Sequence, residues 1–272
     1  MIKFSFALVF ILFFVSANAQ QHQLQKLWET DTIVATPESV LPSKNVMYVS
    51  LIAGDPWAAD GVGGIAKIDA NGKNYNGTWV TGLNAPKGLG IYNGHLYAAD
   101  LSDVVVIDTK TGTIQKRISV PGASWLNDIT VSDKGSVYVS DSKTGKIWKI
   151  DNDVPQLFLD SVTGANGLKA IGDQLLVLGG KSFFSVNQQK QKTKIAELPQ
   201  GGDGIEPVGN GDYIATSWAG LIYYVHADGR VETMLDTSKD KKNTADIGYD
   251  PVKKIIYVPT FNAKTVVAYQ LK

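Results

Sequence analysis

Cysteine is absent from all 272 residues, so neither a disulfide framework nor a thiolate-held metal belongs to this chain. Histidine is nearly absent. His22, His95 and His226 fall near the N-terminus, at a strand entrance and in an outer hairpin; unclustered in sequence, they read as surface residues rather than zinc ligands. Neither sign of charge is in excess: 26 Lys and Arg balance 26 Asp and Glu with no basic cluster, so nothing recruits nucleic acid or an anionic membrane. No Gly-x-Ser-x-Gly elbow occurs, and the glycine-rich pieces at 61–64 and 201–202 open no helix, which removes serine-elbow and phosphate-loop chemistry. A 3.6-residue apolar period long enough for a core helix is missing as well.

One long apolar run exists, and it stands at the start. Lys3 precedes the run from Phe4 to Val15, and Ala17-Asn18-Ala19 has the small-x-small form that signal peptidase needs. The run is short of the roughly 20 residues that span a bilayer. We therefore expect an export signal over 1–19, cut after Ala19, and a product of residues 20–272 that is periplasmic or extracellular and not held in a membrane.

What the remainder has in abundance is short β-rich runs separated by turn pairs such as Asn93-Gly94, Lys134-Gly135, Asn210-Gly211 and Asp228-Gly229. Glycine and asparagine accept the positive φ of tight hairpin turns. The clearest unit runs Asn127–Val131, Ser136–Ser140, Lys146–Asp151 and Gln156–Leu159, four strands in one blade-sized block. Its lead segment recurs as Pro37-Glu38-Ser39-Val40, Pro86-Lys87-Gly88-Leu89, Leu126-Asn127-Asp128-Ile129, Ala165-Asn166-Gly167-Leu168, Gly202-Asp203-Gly204-Ile205 and Thr244-Ala245-Asp246-Ile247. The second residues stand 49, 40, 39, 37 and 42 apart. An all-β, six-bladed propeller follows, in one domain over 20–272. The last unit has room for three strands only, so Leu24–Trp28 is expected to supply the fourth and close the ring.

In a propeller the lead segments open at one mouth of the central channel. Their second residues then form a ring of Glu38, Lys87, Asn127, Asn166, Asp203 and Ala245. Two carboxylates and two amides offer hard oxygen donors, a set suited to Ca²⁺ or another divalent cation. Trp57, in the long turn 53–63, Trp125 and Trp218 fall near the same mouth and could cover a ligand. Lys87 has three readings: its ammonium could replace the metal beside Glu38 or Asp203, bind an anionic substrate, or point away.

At these residues the chain resembles the regucalcin–gluconolactonase superfamily, with looser similarity to paraoxonases and diisopropyl fluorophosphatase. The likeness is carried by Glu38 in Pro-Glu-Ser, Asn166 in Ala-Asn-Gly-Leu, Asp203 in Gly-Asp-Gly-Ile and Asn127 in Asn-Asp-Ile. It implies Ca²⁺ held by Glu38, Asn127, Asn166 and Asp203, and hydrolysis of a small substrate such as a sugar lactone. Asp203 or Asp128 would serve as general base, with Lys87, Trp57, Trp125 and Trp218 at the substrate. Ser39 departs from the pattern, which has glycine there. The competing expectations are a propeller that binds a ligand or protein without catalysis, and an enzyme of another class such as a lyase or a quinone-dependent dehydrogenase.

Overall fold

A computed structural model describes residues 22–272; the expected export signal, 1–19, lies outside the described residues. The described chain forms six four-stranded antiparallel sheets, each a meander in chain order except the last, and almost no helix beyond two three-residue 3-10 turns. The six-bladed propeller expected from the repeat is the observed architecture.

Strand position within a blade dictates composition. Innermost strands such as Pro86–Tyr92 are buried for most of their length, because neighbouring blades crowd them on both faces. Outermost strands, such as Lys192–Glu197, are largely exposed and carry lysine and glutamate, which blunt the free edge. Between them lie runs such as Asp103–Asp108, with Val104, Val105, Val106 and Ile107 all buried. β-branched side chains suit this pleated environment. The turn pairs behave as read: Asn93 and Gly94 both have positive φ (45° and 81°), as do Asn210 and Gly211 (55° and 81°).

The core is a ring of six apolar clusters, one per blade interface. Ala99, Val104 and Val106 of blade two meet Ile129, Val139 and Trp148 of blade three, for example. At the seam of the ring, Tyr257, Val266 and Ala268 of blade six meet Val40, Met47 and Val49 of blade one. No blade can bury its two faces alone, so ring closure is a condition of stability.

Closure is achieved twice. Leu24–Glu29 pairs antiparallel with Val266–Leu271 and completes blade six from the other end of the chain. Near the axis, Ser39 and Asp246 form a parallel bridge, with Asp246 N–H donating to Glu38 O (3.0 Å) and Val40 N–H to Asp246 O (3.3 Å). The outer closure carries a charged latch. Glu29 accepts from Lys242, Lys26 and Thr265 Oγ1 (2.9 Å). Burial alone would push the Glu29 carboxyl up, but these three donors together hold it down at about 2.

A depressed carboxyl adds stability that is present above the unfolded value near 4.5 and is lost as pH falls toward 2. Thermal midpoints measured from pH 6 to pH 3 should therefore fall less steeply in Glu29→Gln than in wild type. Parallel slopes would remove the latch from ring closure.

Candidate functional site at the channel mouth

In four of the six blades the lead segment is turned toward the axis by an irregularity of pairing. The register between the first two strands shifts between Pro37 and Val40, Pro86 and Leu89, Leu126 and Ile129, and Ala165 and Leu168. The second and third residues are thereby freed from the ladder, as in a β-bulge. In blades one, three and five a hydroxyl of the second strand satisfies the freed amide: Ser39 N–H donates to Ser50 Oγ (2.8 Å), Asp128 N–H to Ser140 Oγ (3.0 Å) and Gly204 N–H to Thr216 Oγ1 (2.9 Å). Blades two, four and six carry Ala99, Leu178 and Pro259 at the matching position.

Of the second residues, Glu38, Asn166 and Asp203 come together at the mouth. Glu38 and Asp203, 5 % and 3 % exposed, lie within each other's field, and the Asn166 amide reaches the Asp203 carboxylate. Two oxygens here are buried without any hydrogen-bond partner, Glu38 Oε2 and Asn166 Oδ1. Asn127 donates from Nδ2 to Ser142 Oγ (3.0 Å), which in turn donates to the Ala165 carbonyl at the entrance of blade four (2.7 Å). That orientation leaves the Asn127 carbonyl oxygen as its acceptor end.

Lys87 points away from the acids onto the blade-one loop, the last of the three positions expected for it. It is buried (3 % exposed), yet its ammonium donates to the carbonyls of Pro56 (2.9 Å) and Ala85 (3.2 Å) and lies 4.4 Å from the centre of the Trp57 ring. Glu38 and Asp100 act on it at a distance, and burial lowers its pKa. The ammonium thus pins the long blade-one loop across blade two. Trp57, carried on that loop, stacks on Trp125 of blade three (centroids 4.2 Å apart). Trp218 does not join them; it meets Phe261 edge-on, 5.5 Å away, as a second aromatic pair on blades five and six. Trp57 and Trp218 remain 42 % and 47 % exposed, offering open ring surface at the mouth.

Asp128 faces the other half of the channel. Its oxygens accept the amides of Ile129 (2.6 Å) and of Leu168 in the next blade (2.5 Å). It lines a cavity of about 240 Å³ with Ser39, Thr130, Lys169, Glu206 and Asp246. Asp246, Lys169 and Glu206 were not singled out from sequence. The available signal was Asp-Ile at the third position of two lead segments, where the others have serine or glycine. Ser39, the departure from the family pattern, is the partner of this missed group: its hydroxyl donates to Asp246 Oδ2 at 2.5 Å. Glycine at third positions has its own reason. A Cβ on Gly88 would stand 2.5 Å from Asp128 Cα and from Ile129 N.

Along the axis, then, five carboxyl groups (Glu38, Asp128, Asp203, Glu206, Asp246) face two lysines, Lys87 and Lys169. Lys169 pairs with Glu206 at 2.7 Å; burial alone would lower its pKa, but Glu206, Asp246 and Asp128 outweigh that and raise it. The acids cannot all ionise cheaply. Burial, then Asp246, pushes Asp203 up to about 8, with Asn166 acting against them. Asp246 rises to about 7, mainly by burial. Glu38 is held well above the carboxylate range by burial, Asp203 and Asp246, and Asp128 by burial and Asp246.

No protein-family model matches the chain, and no curated protein matches it in sequence. Solved structures match in fold. A streptogramin B lyase aligns at TM-score 0.65 and 11% identity, covering 92% of this chain and 97% of its own. A catalytically inactive histidine-to-alanine variant of virginiamycin B lyase from Staphylococcus aureus, solved with quinupristin, aligns at 0.66 and 16%, covering 93% and 100%. Selenomethionine-substituted virginiamycin B lyase from the same organism aligns at 0.67 and 15%, over 93% and 100%. These likenesses establish the six-bladed architecture.

Two outcomes follow. Gly88→Ala should destabilise by about 1–3 kcal/mol, as an overpacked backbone contact does, measured by denaturant unfolding; a neutral result would mean that blades two and three can part without cost. With chelator present, raised carboxyl pKa values give stability that is full near pH 4 and is lost as pH rises through about 8. Asp203→Asn should flatten that decline in thermal midpoint, and an unchanged slope would contradict the raised pKa.

Proposed function

We propose that this chain is an exported, divalent-cation-dependent hydrolase of lactones or related esters, as its resemblance to the regucalcin–gluconolactonase superfamily implies. The observation that carries the reading is the pair of orphaned buried oxygens, Glu38 Oε2 and Asn166 Oδ1, beside a carboxyl pair that resists ionisation. A buried acceptor without a donor costs about 1–3 kcal/mol. A cation bound among Glu38, Asn127, Asn166 and Asp203 removes that cost and lets both acids ionise. The donors are oxygen only, which suits Ca²⁺. Lys87 does not compete, because its ammonium is committed to Pro56, Ala85 and Trp57.

When bound, Ca²⁺ supplies Lewis-acid polarisation of the substrate carbonyl. The protein's own groups do the rest. Asp203 takes a proton from water as its oxygen bonds to the carbonyl carbon, and returns it to the alkoxide released when the ring C–O bond breaks. Asp128 is less suited to that task, since both its oxygens are engaged by backbone amides. The open faces of Trp57 and Trp218 cover the ring of a small substrate such as a sugar lactone and keep bulk water from it. Lys87 keeps Trp57 in place.

The fold neighbours bear lyase names, and one of them is made catalytically inactive by loss of a histidine. Histidine is not available at this mouth. Among the described residues, His95 begins the second strand of blade two, and His22 and His226 stand together on the outside of blades five and six. Hydrolysis assisted by oxygen ligands therefore fits these residues better than a histidine-led elimination.

Two measurements test the reading. Ca²⁺ at about 100 times its dissociation constant should stabilise the protein by about 2.7 kcal/mol, seen as a rise in thermal midpoint that chelator reverses and that Glu38→Gln removes. On a lactone and aryl-ester panel, Asp203→Ala should lower kcat by about 10²–10⁴-fold. A midpoint indifferent to Ca²⁺ would overturn the cation site, and a panel without turnover would leave a ligand-binding propeller.

A further inference from the structure

Far from the mouth, the fold assembles a second donor cluster that chain order conceals. Tyr224 and His226 are two residues apart, and Tyr224 pairs with Glu232 across the outer hairpin of blade five. Strand alternation therefore puts Tyr224, His226 and Glu232 on one face. His22, just before the ring-closing strand, lies against that face, its ring stacked on Tyr224 with centroids 3.5 Å apart and planes 7° from parallel. The histidines expected to be isolated surface residues are thus neighbours, their ring centroids 5.5 Å apart.

We propose that His22, His226 and Glu232 form a binding site for a Zn²⁺-class transition-metal ion, which fastens the ring-closing strand to blade five. His22 Nδ1 lies 3.1 Å from Glu232 Oε2, and His226 Nε2 lies 3.4 Å from the same oxygen. All three donor atoms fall within 4.8 Å of one another. Metal–ligand bonds of 2.0–2.1 Å in a tetrahedron set ligand atoms about 3.3 Å apart, so the two separations to Glu232 already match those of a zinc site. Imidazole nitrogens with one carboxylate suit Zn²⁺ and its neighbours rather than Ca²⁺, which separates this site from the oxygen-only mouth.

The cluster is also held in place. Side-chain exposures of 27 %, 19 % and 16 % for His22, His226 and Glu232 exclude most competing water while leaving an entry path. The turn that carries His226 is fixed by His226 N–H to Arg230 O and Gly229 N–H to His226 O, both 2.9 Å. Tyr224, which orients His22, donates its hydroxyl to Asp212 Oδ2 (2.7 Å). Such outer contacts are what give metal-ligating rings their orientation. Three protein donors leave a fourth position, and a cavity of about 320 Å³ between blades five and six, lined by His22, Tyr224 and Tyr249, adjoins it. Gln23 exchanges backbone hydrogen bonds with Lys272, so an ion on His22 grips the closing strand at its first turn of pairing.

The probes are Co²⁺ and Zn²⁺ on the full chain, with excess Ca²⁺ present so that the channel mouth does not contribute. One Co²⁺ per chain should bind with the intense visible absorption of a tetrahedral ion, and Zn²⁺ should displace it. His226→Gln and Glu232→Gln, both outside the core, should each weaken binding by at least about 100-fold, whereas Glu38→Gln should not alter it. Zn²⁺ should slow amide exchange over residues 23–29 in wild type and fail to do so in His226→Gln. The proposal is overturned if neither ion binds, if binding needs His22 but is indifferent to His226 and Glu232, or if bound Zn²⁺ leaves exchange over 23–29 unchanged.

Discussion

Five acids share a narrow channel with two lysines, and the rest of the site follows from that imbalance. Removing carboxylates from water disfavours their charged form, and placing them within one another's field disfavours it again. Lys169 is tied to Glu206, and Lys87 donates to backbone carbonyls and eases the ionisation of Glu38 only through its field. The mouth must hold protons or a cation. Its amide oxygens are acceptors that a protonated carboxyl or a cation can each satisfy. The lower half of the channel resolves its own charge differently, through amides and a hydroxyl: Leu168 N–H on Asp128 and Ser39 on Asp246.

The same residues that build the site also close the ring. Asp246 bridges to blade one beside Glu38, so a ligand of the proposed cation sits on the backbone that joins the last blade to the first. On the outside, the strand Leu24–Glu29 brings the latch of Glu29 and, at its start, His22. A propeller's seam is the one interface not enforced by chain connectivity between consecutive blades. Concentrating polar and metal-competent contacts there strengthens the place where opening would begin.

Much of the fold was legible in the sequence because a propeller repeats a local rule. Lys146–Asp151 has the bounds expected of it, since it is a short β-rich run between clear turn residues. Other ends moved by one or two residues, as with Ser136–Ser140, observed as Val137–Asp141. The ring of second-position residues was legible for the same reason: equivalent positions in equivalent blades face one axis. Third positions were overlooked because serine, glycine and aspartate share no chemistry in isolation. Their logic appears only when Asp246 is seen against Ser39, and Asp128 against the space that Gly88 leaves.

The sequence alone determined what is periodic: six blades, hairpin turns at glycine and asparagine, and an N-terminal strand to complete the last sheet. These depend on local pattern and on counting. Tertiary structure decided what depends on side-chain direction and on contacts between distant segments. It turned Lys87 under Trp57, aimed Asp128 away from the mouth, and set His22 beside His226 and Glu232. A lysine carries its charge on a long flexible stem, and two histidines some two hundred residues apart have no local signal of proximity. Only the closed ring brings them within bonding range.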